Sequence, residues 1–280
     1  MARILVAGAS GVIGRRLLPA LVLAGHEVHG TTRREERIER IQASGAHGML
    51  LDALDGDAVH AAVREVHPDV VIHQLTDLAQ LDFAGNARVR TDGTRHLVDA
   101  ALAVGVERMV AQSIAWAYRP GATPADESTP LDLDDEGTGR RTYPSIAGLE
   151  AQVARMPVGV VLRYGLFYGP GTWYAPDGAL AEQARQGRVT PTTDMTSWVH
   201  VDDAVAATVL AVEWPAGAVN VVDDDPAPAA EWAPIFCRGF GAELRELSPA
   251  PAPGRAASNA LARSRGWAPE HPTWRESLLD

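Results

Sequence analysis

Three glycines at a spacing of three, Gly8, Gly11 and Gly14 in VAGASGVIGRR, stand at the exit of a strand-like stretch and the start of a helix-like one. Glycine lets the backbone turn tightly and approach a phosphate, and free N–H groups at a helix N-terminus stabilise its negative charge. Ser10, Val12 and Ile13 complete the loop, so the chemistry it offers is capture of a dinucleotide pyrophosphate. Turns and helix caps also collect glycines for structural reasons; the position at the first strand of a strand–helix–strand unit favours the cofactor. The second strand-like segment ends in Thr32, Arg33 and Arg34, where the ribose of an adenosine half should arrive. A site for NAD usually has an acidic side chain there to accept hydrogen bonds from the ribose hydroxyls. Arg33 instead offers charge-assisted bonds to a 2′-phosphate, so NADP(H) is expected in preference to NAD(H). The competing reading is that Arg33 and Arg34 merely begin a solvated helix, RREERIERIQ.

The elements that must position these residues show as alternating segments. RILVAG (3–8), EVHGTT (27–32), HGMLL (47–51), DVVIHQ (69–74), ERMVAQ (107–112) and VGVVLR (158–163) are rich in β-branched and aliphatic residues. Segments with helical spacing lie between them at 14–25, 55–66 and 91–105, the first containing Pro19, where a slight bend is expected. Strands alternating with helices imply parallel pairing, because parallel neighbours need a crossover. The predicted fold is α/β, a doubly wound parallel sheet of the Rossmann type with a smaller C-terminal substrate lobe. After residue 165 the composition turns to Pro, Gly and aromatic residues. The expected dinucleotide-binding domain is therefore 1–164, with 197–222 returning to the sheet, and the lobe is 165–196 and 223–280.

The 280 residues are 46% hydrophobic, yet no apolar run approaches the length of a membrane span. The N-terminus enters strand-like sequence without a charged, apolar leader, and a cytoplasmic protein is expected. A net charge of −11 disfavours nucleic acid and anionic membranes, leaving a small molecule as the partner. The one cysteine, Cys237, has no closely spaced Cys or His to suggest zinc; it reads as a core residue, and no metal is expected.

Several stations in order resemble the extended short-chain dehydrogenase/reductase family, which includes NAD(P)-dependent sugar epimerases and dehydratases. They are the glycine pattern, Asp52 after the third strand, VVIHQLT at the fourth, TDGT (91–94), LRYGLFYGPGT (162–172) and WVHVDDAVAA (198–207). The resemblance implies that Asp52, with Ala53, contacts the adenine, and that Gln74, Leu75 and Thr76 run beside the nicotinamide ribose; Asp52 also reads as a helix cap. His200 and Asp202 are implied to be structural. A typical member joins Ser or Thr, Tyr and a Lys four positions after the Tyr, the lysine lowering the tyrosine pKa for proton transfer. Here Tyr143 is followed by Ala147, and Ile114 falls at the hydroxyl position with Ser113 one residue earlier, which on a strand reverses the side-chain direction. Pro144 suits a first helical position, so Tyr143 reads equally as a loop aromatic at the helix start.

The candidate proton donors are Tyr143, Ser113 and Tyr118, with Gln74 behind them and His73 read as a hydrogen-bonded core histidine. Tyr168, Trp173 and Tyr174 come from a segment that borders the substrate in the family and favour a planar or apolar substrate, while some of these rings serve the core. Arg141 can meet an anionic one, or with Arg140 balance the acidic DLDDEG run before it. The expected function is NADP(H)-dependent hydride transfer to a small organic metabolite with a nonstandard proton donor. The alternatives are an epimerase, dehydratase or isomerase that recycles bound NADP, and a noncatalytic NADP(H)-responsive binding protein. The resemblance also implies a homodimer through the helices near 91–104 and 144–155.

Overall fold

The computed structural model describes residues 1–77, 82–133, 143–189, 191, 193–244, 246–249 and 254–279. Its strands are β1 (Arg3–Ala7), β2 (Glu27–Thr32), β3 (His47–Leu50), β4 (Val70–His73), β5 (Arg108–Ile114), β6 (Val158–Tyr164), β7 (Leu166–Tyr168), β8 (Met195–Thr196), β9 (Trp198–His200), β10 (Gly217–Val221) and β11 (Ala227–Pro228). Its helices are α1 (Gly14–Leu23), α2 (Ile38–Ala43), α3 (Gly56–Val66), α4 (Phe83–Arg88), α5 (Thr94–Ala103), α6 (Pro144–Val153), α7 (Ala179–Arg185), α8 (Val201–Ala211), α9 (Ala229–Gly239) and α10 (Ala260–Ser264). A π-helical turn, Val89–Gly93, joins α4 to α5.

The main sheet is seven-stranded, in the order β10-β6-β5-β4-β1-β2-β3. β1 pairs in parallel with both β2 and β4, so the strand order reverses there, the switch point at which such sheets bind ligands. The predicted α/β doubly wound fold is the one observed, and all six strand-like segments form sheet strands.

The chain divides into two compact units: Met1–Ser113, Pro144–Leu162 and Val205–Ala218 form the first, and Ile114–Tyr143, Arg163–Ala204 and Val219–Asp280 the second. Residues 114–143, 163–164, 197–204 and 219–222, assigned from sequence to the dinucleotide-binding domain, group with the second unit. In the first unit, alternation along the strands turns Leu5, Ala7, Val71, Met109, Ala111 and Val161 to one face. They pack there on Val59 and Val63 of α3, Leu97 and Val98 of α5, and Leu149 and Val153 of α6. On β2, a Cβ at Gly30 would press against Leu18 of α1 and Ile41 of α2, so this glycine sets how near those two helices lie.

The second unit has a core of rings. Trp198, Tyr174, Trp232 and Phe236 meet edge to face, a favoured arrangement, with Trp274 and Tyr168 beside Trp198. Cys237 is buried in the same cluster, in keeping with its reading as a core residue. Among the described residues, no helix is long and apolar enough to cross a membrane.

Candidate functional site

The first unit gathers the glycine loop where β1 and β4 end. Gly8 has φ +90°, which favours glycine, and a Cβ on it would stand 2.7 Å from the carbonyl oxygen of Gln74. A Cβ on Gly14 would collide with the carbonyl oxygen of Gly8, so α1 can begin this close to the loop only at a glycine. The first-turn amides of a helix have no intrahelical acceptors. Here the Arg15, Arg16 and Leu17 amides already donate to the carbonyls of Gly11 and Ile13, no side chain caps the helix at Ile13, and no acidic residue stands in the first turn. That leaves the positive end of α1 to an anion, so the loop from Gly8 to Gly14, with Ser10, Gly11, Val12 and Ile13, fits a dinucleotide pyrophosphate.

Beside the loop, Ser10 Oγ lies 3.1 Å from Thr32 Oγ1 and accepts a hydrogen bond from Arg37 Nη1 at 3.4 Å. Ser10 lines a cavity of about 380 Å³ together with Arg15, Arg16, Arg37 and Arg40. Arg33 is engaged with the Asp77 carboxylate at 3.1 Å. Sequence reasoning missed the four cavity arginines, because RREERIERIQ was weighed as a surface helix. The signal was present in Arg15 and Arg16 directly after Gly14, and in Arg37 and Arg40 one turn apart. Asp52 accepts from the Leu54 amide at 3.0 Å, and the cap of α3 is Asp55, so the cap reading of Asp52 is corrected. Ala53 is buried, its carbonyl accepting from His96 at 2.9 Å.

The strip after β4 is held in place. The Gln74 amide donates to Ala7 O at 2.8 Å, and Gln112 Nε2 donates to Leu75 O at 3.1 Å, while Thr76 is exposed. His73 Nδ1 accepts from the Leu75 amide, so Nε2 carries the proton and donates to Thr94 Oγ1 at 2.9 Å. Complete burial, and then the charge of Arg90, push its pKa down to about 4. It is a neutral core histidine, as read from sequence.

The three proton-donor candidates each have a partner of their own. Ser113 is buried, and its hydroxyl donates to Glu150 of α6 at 2.7 Å, a strand-to-helix bond. In the second unit Tyr118 is buried, donating to Asn220 Oδ1 at 2.6 Å and accepting from Arg163 Nη1 at 2.8 Å. Burial raises its pKa. Tyr143 is half-buried; its amide donates to Asp132 O at 3.1 Å, and α6 begins at Pro144, one residue on.

The aromatic substrate candidates belong to or border the ring cluster of the second unit. Tyr168 is fully buried and donates to His271 O at 3.2 Å, Tyr174 is buried among Trp198, Trp232 and Phe236, and Trp173 packs against the same cluster. These rings are core because the second unit has few aliphatic residues with which to fill it. Arg140 and Arg141 lie outside the described residues. His200 is buried with its ring stacked on His271, and Asp202 is exposed.

Residues 4–222, most of the chain, match the NAD dependent epimerase/dehydratase family. The chain belongs to that family. A 3-diazoavenalumate denitrifying reductase from a Streptomyces species is 45% identical over an alignment of 305 positions that covers 99% of each chain. A dTDP-4-dehydrorhamnose reductase from Streptomyces griseus is 29% identical, covering 88% of this chain and 79% of the relative. Among solved structures, the UDP-glucose 4-epimerase of Thermus thermophilus in complex with NAD superposes with a TM-score of 0.76 at 23% identity, covering 99% of this chain and 97% of that one; it shows the shared fold. As a family member with reductase relatives, the chain is an NAD(P)-dependent enzyme of the oxidoreductase and epimerase kind, which sets aside the noncatalytic alternative.

Proposed function

We propose that this enzyme is an NADPH-dependent reductase that removes nitrogen from a diazo-bearing organic carboxylate. The observation that carries the reading is the 45% identity, over 99% of both chains, with a reductase named for denitrifying 3-diazoavenalumate. The residues agree with it chemically. Hydride addition to a carbonyl creates an alkoxide that an acid must protonate, the task of a tyrosine beside a lysine. A diazonium group already carries positive charge. Hydride and R–N₂⁺ give R–H and N₂, NADPH supplies both electrons and leaves as NADP⁺, and no alkoxide forms.

On this reading Ala147 stands where the family's lysine is dispensable, and the buried Ser113 and Tyr118 are not needed for proton transfer. The rate comes from alignment of nicotinamide and substrate, an effect large enough in oriented systems to replace a missing acid. The nicotinamide cofactor supplies the hydride when bound. Gly8, Gly11 and Gly14 would admit its pyrophosphate, Asp52 and Ala53 its adenine, and Gln74, Leu75 and Thr76 its nicotinamide ribose. The preference for NADPH is supported by the lack of an acid among Thr32, Arg33 and Arg34 and by the arginine-lined cavity beside Ser10. Arg37 and its neighbours there are better placed for a 2′-phosphate than Arg33, which Asp77 holds.

The test is to supply diazo-substituted aromatic carboxylates labelled with ¹⁵N, following NADPH absorbance and labelled dinitrogen by mass spectrometry together. One N₂ released per NADPH oxidised is expected, with NADH much the poorer donor. Oxidation of NADPH by carbonyl substrates with none by diazo substrates overturns the reading. The family match also supports a sugar-nucleotide epimerase or dehydratase. That second reading is recognised by product formation with no net change in nicotinamide absorbance.

A further inference from the structure

We infer that Glu27, His29 and His47 form a surface site for one divalent transition-metal ion, apart from the cofactor site. β2 and β3 are parallel neighbours, and His29 and His47 are register partners across them. Residues two apart on a strand share a face, which puts Glu27 beside His29. The two imidazole rings stack with centroids 4.7 Å apart, and Glu27 Oε1 lies 3.0 Å from His29 Nε2. One ligand atom from each of the three lies within 4.8 Å of the others. Ligands of a tetrahedral zinc ion with bonds near 2 Å sit roughly 3.3 Å apart, so small side-chain rotations close the site.

The surroundings favour a metal. Glu27 is a carboxylate on the same strand face as His29, so the cluster joins one anionic oxygen ligand to two imidazole nitrogens. Arg3 Nε, 3.1 Å from Glu27 Oε1, would orient that carboxylate as an outer partner. The Glu27 side chain is 42% exposed and that of His29 17%, so an ion can reach both and keep a coordination position open to water. Two imidazoles with one carboxylate select Zn²⁺, Ni²⁺ or Cu²⁺ over Mg²⁺ and Ca²⁺, which prefer oxygen alone. Five residues along β2 separate Glu27 from Thr32, roughly 16 Å at strand rise, so the ion would not touch the nicotinamide chemistry. Its place is structural: β3 is an edge strand with no fully buried residue, and the metal would clamp it to β2.

The other His-and-acid cluster, His200, Asp203 and His271, is a weaker candidate. Asp203 already accepts from the amides of Glu270 and His271 and lies 3.2 Å from His271 Nδ1.

Tag-free protein stripped with EDTA is titrated calorimetrically with ZnCl₂, NiCl₂ and MgCl₂, and melted with and without Zn²⁺. We expect one equivalent of Zn²⁺ or Ni²⁺ with a Kd in the micromolar range, no Mg²⁺ binding, and a rise in Tm with Zn²⁺. His47→Ala and His47→Gln should each weaken Zn²⁺ at least about tenfold, abolish the Tm rise, and leave NADPH affinity and the metal-free Tm unchanged. Undiminished Zn²⁺ binding in both variants, or none below millimolar concentration in the wild type, overturns the assignment.

Discussion

At Asp223, burial works against an acid's ordinary behaviour. Oδ1 accepts from the Asp225 amide at 3.2 Å, while Oδ2 is buried without a hydrogen-bond partner among the described residues. Burial, and to a lesser degree the charges of Asp224 and Asp225, push the carboxyl up to about 8 against an ordinary 3.8. Below pH 3.8 the group is protonated both folded and unfolded and costs nothing. As pH rises from 3.8 to about 8 the unfolded chain loses this proton while the folded chain keeps it, so stability falls across that window and levels off above it. Asp223→Asn removes the titration. Thermal melts should show the variant gaining more Tm at pH 8 than at pH 5, by several degrees; an equal gain at both values refutes the raised pKa. Residue-level reasoning reached His73 correctly because its setting, an apolar strand, is local. The partners of Tyr118, Tyr168 and Tyr174 were not legible, because Asn220, His271 and Phe236 are remote in sequence.

Among the elements, the turn and helix after β2 carry the proposed preference for NADPH. Residues 35–37 form a single 3₁₀ turn and α2 follows, which carries Arg37 to Ser10 and Arg40 to the same cavity. Arg37→Ala should weaken NADPH about 10- to 100-fold, the scale of one or two charge-assisted bonds, and leave NADH nearly unaffected. A fluorescence titration with both cofactors checks this, and equal weakening of both contradicts it. The strands and crossover helices were legible because their periodicities of two and 3.6 are written locally. The cavity was not, because only folding brings α2 beside the glycine loop. The pairing of His29 with His47 was equally hidden: it depends on the β2–β3 register, and no sequence spacing encodes it.

For the whole molecule, the proposed reading needs the glycine loop of Gly8, Gly11 and Gly14 and does without the lysine that Ala147 replaces. The family was legible from ordered motifs spread over most of the chain, and the identity of the substrate was not. The rings that sequence offered as a pocket lining are the core of the second unit, and Arg141 lies outside the described residues. The central claim, hydride transfer without a tyrosine acid, is tested most directly by kcat/KM of Tyr143→Phe for NADPH-dependent dinitrogen release. The account predicts a value within about threefold of wild type. A loss of about 10²- to 10⁴-fold, the usual contribution of a general acid, would contradict it.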